Sequence, residues 1–228
     1  MQLVVRAEKA DPPTHGAVCE AAATAVVELL TDPRAADPEG EWHEAVHQWE
    51  SRRIRKVARR ARGVRWPEVQ ELPGVTVKVN GAEVRAFVPG PVDEVPPQIA
   101  KLQVAGLDLP DAEDPPQAPP APYAAIALNP DVTMTTGKAA AQSGHAAQLL
   151  LRQASAADVT AWLEGGLRVH LARGVPWRDC VKHAAEPRRG ARGVVPPREA
   201  QHAAIAVRDG GFTEVPPGTM TAIAWIVR

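Results

Sequence analysis

Met134-Thr135-Thr136-Gly137-Lys138-Ala139-Ala140-Ala141-Gln142-Ser143-Gly144-His145-Ala146 decides the reading of this chain. It follows an apolar run, Ala124-Ala125-Ile126-Ala127-Leu128, bounded by Asn129-Pro130, which predicts a buried strand feeding a helix. Thr135 or Thr136 is the expected N-cap, and the alanines behind it favour helix. Lys138, Gln142 and His145 stand at i, i+4 and i+7 and therefore project from one face. The opposite side, Ala140, Ser143, Gly144 and Ala147, is small and is expected to pack closely on a sheet. A cation in the first turn opposes the helix dipole, so Lys138 is expected to meet an anion or take part in chemistry. No glycine stands five residues ahead of Gly137-Lys138, which excludes a nucleotide P-loop.

Length and composition bound the rest. The chain has 228 residues and a formal net charge of -1. That length holds one large or two small domains, and that charge excludes a uniformly basic nucleic-acid surface, leaving local patches. Cys19 and Cys180 lie far apart without CxxC or Cys/His spacing, which points to a reducing cytosol rather than zinc or a disulfide framework. Arg6, Glu8 and Lys9 interrupt the start, and no apolar run approaches a membrane span. The expectation is a soluble cytoplasmic protein without membrane partner, metal or cofactor.

In chain order, Gln2-Leu3-Val4-Val5-Arg6 predicts a strand, Asp11–Thr14 a turn and cap, and Gly16 to about Leu30 an alanine-rich helix. A helix over Trp42–Trp49 leads to the most basic run, Arg52 to Arg62. Val75–Val79 and Glu83–Val88 flank Asn80-Gly81, a hairpin signal, and a helix is expected over Val95–Leu102. Residues 108–122 are acidic and proline-rich and read as an extended linker rather than part of a core.

The segments on either side, 1–107 and 123–228, resemble each other. Gly16 stands opposite Gly137, and Arg62-Gly63-Val64-Arg65-Trp66 answers Arg173-Gly174-Val175-Pro176-Trp177. Gly74-Val75-Thr76 answers Gly211-Phe212-Thr213, and Gly81 answers Gly218. This register makes the basic run strand plus flank, matching Gly166–Leu171. The first half has Ala17 for Lys138, Ala21 for Gln142, Thr24 for His145 and Leu72 for Asp209; only the threonine persists, as Thr76 and Thr213. Residues confined to one half point to function rather than fold.

A second signature closes the chain: Ala203–Val207 as a buried strand, then Arg208-Asp209-Gly210-Gly211-Phe212-Thr213-Glu214-Val215-Pro216-Pro217-Gly218-Thr219-Met220-Thr221, and a last strand over Ala222–Val227. With the Gly137-Lys138 helix, it resembles the class 2 peptidyl-tRNA hydrolases. Their motifs are Gly-Lys-x-Ala-Ala-Gln-x-x-His-Ala and Asp-Ala-Gly-x-Thr-x-x-x-Pro-Gly-Thr-x-Thr, with Gly210 here replacing the alanine. The resemblance covers most of residues 123–228. A weaker echo is Phe87-Val88-Pro89-Gly90-Pro91, like the family's last strand and helix, a segment the second half lacks.

The resemblance implies an α/β fold, here two tandem copies of a small mixed four-stranded sheet flanked by helices and packed as an intrachain pseudo-dimer. It implies metal-free hydrolysis of the ester joining a peptide to tRNA by a catalytic half at 123–228, beside a degenerate half at 1–107. The motif lysine, aspartate and threonine fall on Lys138, Asp209 and Thr213; Gln142 and His145 match positions lining the family's site. Gly137, Thr219 and Thr221 belong to the same motifs and are expected to bind substrate.

Chemistry argued from the residues alone agrees. Ester hydrolysis needs a positioned water, stabilisation of the oxyanion and a proton for the leaving oxygen. Asp209 suits activation of water, Thr213 its placement, and Lys138 the oxyanion or a phosphate. His145 is the alternative acid/base, or a partly buried structural histidine. Phosphate contacts are expected from the run containing Arg55, Arg59 and Arg62, and from Arg188, Arg189 and Arg192. Trp66 and Trp177, recurring at matching places, are expected as core anchors. An acyl transferase using tRNA esters needs the same site, and a non-catalytic RNA- or protein-binding module remains a third alternative.

Overall fold

The computed structural model describes residues 1–52, 54–91, 93–185, 204–211 and 214–228. Among the named site residues, Thr213, Arg188 and Arg189 therefore lie outside the described residues, as do Arg53, Arg192 and Phe212.

Two mixed sheets follow one plan. The first half runs β1 (Gln2–Arg6), α1 (His15–Thr31), α2 (Pro33–Ala36), α3 (His43–Glu50), β2 (Val57–Ala61), α4 (Arg65–Gln70), β3 (Gly74–Val79), β4 (Ala82–Phe87) and α5 (Pro97–Ala100). The second runs β5 (Tyr123–Leu128), α6 (Thr136–Gln153), α7 (Ala156–Glu164), β6 (Val169–Leu171), α8 (Trp177–His183), β7 (Ala184–Ala185), β8 (Ala204–Arg208) and β9 (Met220–Val227). The strand orders are β2-β1-β4-β3 and β6-β5-β9-β8-β7, so the two-residue β7 adds a fifth strand to an otherwise matching sheet. In each sheet the opening strand pairs parallel with the next and antiparallel with the last. The basic run forms β2 as the repeat register predicts, and Asn80-Gly81 turns β3 into β4 with positive φ at both residues. Trp66 is buried after the first Arg-Gly-Val, and Trp177 packs partly buried after the second.

Two expectations, on the repeat register and on the connecting segment, are corrected. The Leu72–Asp209 match does not follow the fold: Leu72 precedes β3, whereas Asp209 directly follows β8, the counterpart of β3, and Phe212 and Thr213 lie outside the described residues. Asp209, at the end of β8, therefore answers the Asn80-Gly81 turn rather than Leu72, and the long loop between β8 and β9 replaces that turn. Residues 108–122 also do not stand wholly apart, because Leu109 packs on the core that Leu107 enters.

The halves meet through α1 and α6. Helix α1 is mostly apolar and buried along nearly its whole length, as a helix packed on several sides must be. His15 meets Thr136 at the start of the pair, Cys19 lies against Ser143, and Ala22 and Val26 meet Gly144, so both N-termini lie at one end. The small stripe on α6 thus admits a helix, not the expected sheet. Glu20, the buried carboxylate of α1, accepts from Asn80 Nδ2 at 2.6 Å and from the backbone N–H of Leu171 in β6 at 2.8 Å, with His170 Nδ1 at 3.2 Å. Its lone pairs are satisfied from both halves, which a buried carboxylate requires.

A side chain at Gly144 would begin 3.0 Å from Val26 Cγ2. Gly144→Leu is expected to cost about 1–3 kcal/mol through overpacking, read as a lower urea midpoint; an unchanged midpoint would contradict the close approach.

Candidate active site

The site forms where α6 begins beside the loop after β8. Thr135 caps α6, its hydroxyl accepting from the Lys138 N–H at 3.2 Å. The following turn sends Lys138 and Gln142 toward the sheet. Lys138 Nζ donates to Asp209 Oδ2, the two side chains being only 9% and 6% exposed. Gln142 Nε2 donates to the same oxygen at 2.8 Å, and the Gly211 N–H donates to Oδ1 at 2.7 Å. The Asp209 backbone is fixed as well: its N–H reaches Thr219 O at 2.9 Å, and its carbonyl accepts from Gly218 N at 2.8 Å. Gly211 has φ +75 and packs against Pro217 at distances a Cβ would violate, so glycine is required there.

Thr221 completes the support. Val207 pairs with Ala222 and Arg208 with Met220, which leaves Thr221 as the extra residue of a bulge. Ala222, Ala224 and Ile226 join the core beneath α6, while Ile223 and Trp225 face the other way. Strict alternation would send Thr221 with the latter pair; the bulge turns it to donate to Gln142 Oε1 at 2.7 Å. With Thr221 fully buried and Gln142 8% exposed, Thr221, Gln142 and Asp209 form a hydrogen-bonded chain.

A buried ion pair is a poor stabilising device, because desolvation offsets much of its attraction. Retaining one at a helix N-terminus, where a lysine is unfavourable, points to chemistry. The arrangement offers an oriented carboxylate and an ammonium side by side, the elements needed to activate water and to stabilise an oxyanion. Among the described residues, no group of three or more His, Cys, Asp or Glu side chains is placed to hold a metal ion, and no helix is long and apolar enough to cross a membrane.

Comparison with known proteins fits this geometry. Over 99 residues the chain is 35% identical to a peptidyl-tRNA hydrolase of Pyrobaculum aerophilum, a match covering 43% of this chain and 78% of that protein. The chain belongs to the peptidyl-tRNA hydrolase family. No family model matches it, and no solved structure matches it.

Of the residues singled out in the sequence, the structure gathers Lys138, Gln142, Asp209 and Thr221 in this family member. Thr219 turns its hydroxyl to Pro216 O at 2.7 Å, closing the loop rather than facing the pair. The Gly137 N–H donates to Leu107 O at 3.1 Å. His145 is not brought to Asp209: its Nδ1 lies 3.3 Å from Lys56 Nζ, and Lys56 also donates to Gln148 Oε1. Of the basic run, Arg59 is engaged by Gln2 and the Leu102 carbonyl, whereas Arg55 and Arg62 are exposed. Glu214 was not singled out in the sequence, yet it accepts from Thr135 N at 2.9 Å and from Thr135 Oγ1 at 2.7 Å. This carboxylate satisfies the start of α6, and its distance along the chain hid that role.

Burial first, then the neighbouring Lys56 charge, lowers the His145 pKa to about 3. An unfolded histidine takes up its proton near pH 6.5, so the folded state binds fewer protons between there and about 3. Stability from this residue is whole above pH 6.5 and declines as pH falls toward 3. His145→Gln is expected to flatten the acid limb of a stability-versus-pH curve; an unchanged limb would place the ring in solvent.

Proposed function

We propose that this chain hydrolyses the ester bond between a peptide, or an N-blocked aminoacyl group, and tRNA, as a class 2 peptidyl-tRNA hydrolase that recycles tRNA in the cytoplasm. The observation that carries the reading is the buried Lys138–Asp209 pair with its Gln142–Thr221 support, in a chain whose relative is named peptidyl-tRNA hydrolase.

Asp209 orients a water and accepts its proton as the oxygen attacks the ester carbonyl. Lys138 faces the negative charge that develops on the carbonyl oxygen, and the leaving ribose oxygen recovers the proton. Thr213, four residues after Asp209, holds the water or the acyl group by its hydroxyl; that role rests on sequence position. Gln142 and Thr221 act by holding Asp209 rather than by binding substrate. His145, bonded to Lys56 rather than to Asp209 and pushed strongly toward the neutral form, is given no part in the proton transfers. Arg55 and Arg62 are assigned to tRNA phosphates, with Arg188 and Arg189 joining them on sequence grounds; Arg59 serves the fold. No metal or cofactor enters the scheme.

Residues 123–228 carry the catalysis, 1–107 are a degenerate copy without the polar set, and 108–122 join them. The packing of α1 on α6 supports an intrachain pseudo-dimer in which the silent half stands where a second subunit would.

The test is release of labelled acid from N-acetyl-aminoacyl-tRNA, with chelator present and with or without an added amine. Wild type is expected to yield free acid in both conditions, and Lys138→Ala and Asp209→Asn to lose about 10²–10³-fold in kcat. Product only when amine is present would indicate acyl transfer. Tight tRNA binding without any product would leave a non-catalytic binding module.

A further inference from the structure

We infer that the first half is a positioning subunit for the catalytic site, and that the segment Leu107–Asp111 together with His15 clamps the first turn of α6, which carries Lys138. The inference rests on Lys138–Asp209 being the catalytic pair.

The start of α6 should present N–H groups with no partner within the helix. Here the Thr135 cap meets the Lys138 N–H, and the Gly137 N–H is met from the other half. The Gly137 N–H goes to Leu107 O at 3.1 Å, and Gly137 packs on Leu107 and on Ala58 of β2. Thr136, the residue before it, is fully buried; its hydroxyl accepts from the Leu109 N–H at 2.9 Å and lies 3.0 Å from His15 Nδ1. The direction of the Thr136–His15 bond follows the imidazole tautomer, because the hydroxyl keeps both a proton to give and a second lone pair to receive one. Burial lowers the His15 pKa and so favours the neutral imidazole, with Arg173 acting the same way against Asp111 and Asp108.

The same segment fastens the other helix. The His15 N–H goes to Pro110 O at 2.9 Å, the Gly16 N–H goes to Asp111 Oδ1 at 3.2 Å, and Arg173 of the second half holds that carboxylate at 2.7 Å. One short stretch therefore closes both helix N-termini, and through Thr136 it sets the backbone from which Lys138 reaches Asp209. A displacement of about 1 Å in a catalytic group costs up to 10²-fold in rate, so the loss of the polar set from the first half need not have made that half dispensable.

The experiment compares Thr136→Val with Thr136→Ser, and His15→Leu with His15→Asn, in the full chain. It reads kcat and KM on N-acetyl-aminoacyl-tRNA and amide hydrogen exchange at Gly137 and Lys138. Val and Leu remove the bond; Ser and Asn keep a hydroxyl or an acceptor at the same place. Thr136→Val and His15→Leu are expected to lower kcat about tenfold with KM nearly unchanged, and to speed exchange at the two amides about fivefold. Ser and Asn are expected to restore both. Unchanged exchange in Thr136→Val overturns the proposal, as does an equal loss of kcat in Val and Ser. Were wild type inert on the substrate, the hydrolase reading would fall while the exchange measurement would still decide whether the clamp holds the turn.

Discussion

The close approach of α1 and α6 is the constraint on which the rest depends. Gly144 against Ala22 and Val26, and alanines along both helices, let the two backbones come together with their N-termini at the same end. That shared end is where β1 and β5 deliver the chain and where the connecting segment crosses. Each sheet has one helix to cover its inner face, and each helix then covers part of the other half, α1 reaching β6 through Glu20 and α6 reaching the start of β2 through Gln148 and Lys56. Neither helix could bury its second side without the other half.

The polar groups trapped by this packing fall into two kinds. Glu20 with Asn80, His170 and Leu171, and Lys56 with Gln148 and His145, tie half to half. Lys138 with Asp209, Gln142 and Thr221 lies within the second half and spans one helix, one loop and one strand. Only this last group leaves a carboxylate and an ammonium together at the end of strands pointing the same way, the usual location of a site in a sheet with parallel strands. The price of burying that pair is accepted without a structural return, since well-packed apolar residues would serve stability as well.

Much of this was legible in the sequence, for reasons that can be named. The helix bearing Lys138 was signalled by its threonine cap, its alanines and the preceding strand, all local. The Asn80-Gly81 hairpin and the strand in the basic run followed from turn chemistry and from the repeat. The join of Lys138 to Asp209 came from two motifs matched to a family; nothing local predicts it. What escaped was tertiary. A bulge at Thr221 turns a side chain that alternation sends elsewhere, so its role as a support for Gln142 was not visible. The role of Glu214 depends on an approach across nearly eighty positions. The docking of Leu107–Asp111 escaped because proline and acid content describe a solvated linker, while its backbone carbonyls, which composition cannot report, do the binding. His145 shares a helix face with Lys138, yet two further turns carry it past the site to Lys56.

The central claim is that Lys138 and Asp209 act as one unit on an ester bound between them. A double-mutant cycle on kcat/KM with Lys138→Met and Asp209→Asn, using N-acetyl-aminoacyl-tRNA, tests it most directly. The account predicts that the double variant is slower than the worse single variant by no more than about threefold, because removing either partner disables the pair. Losses that multiply would mean that the two residues work independently, and would contradict it.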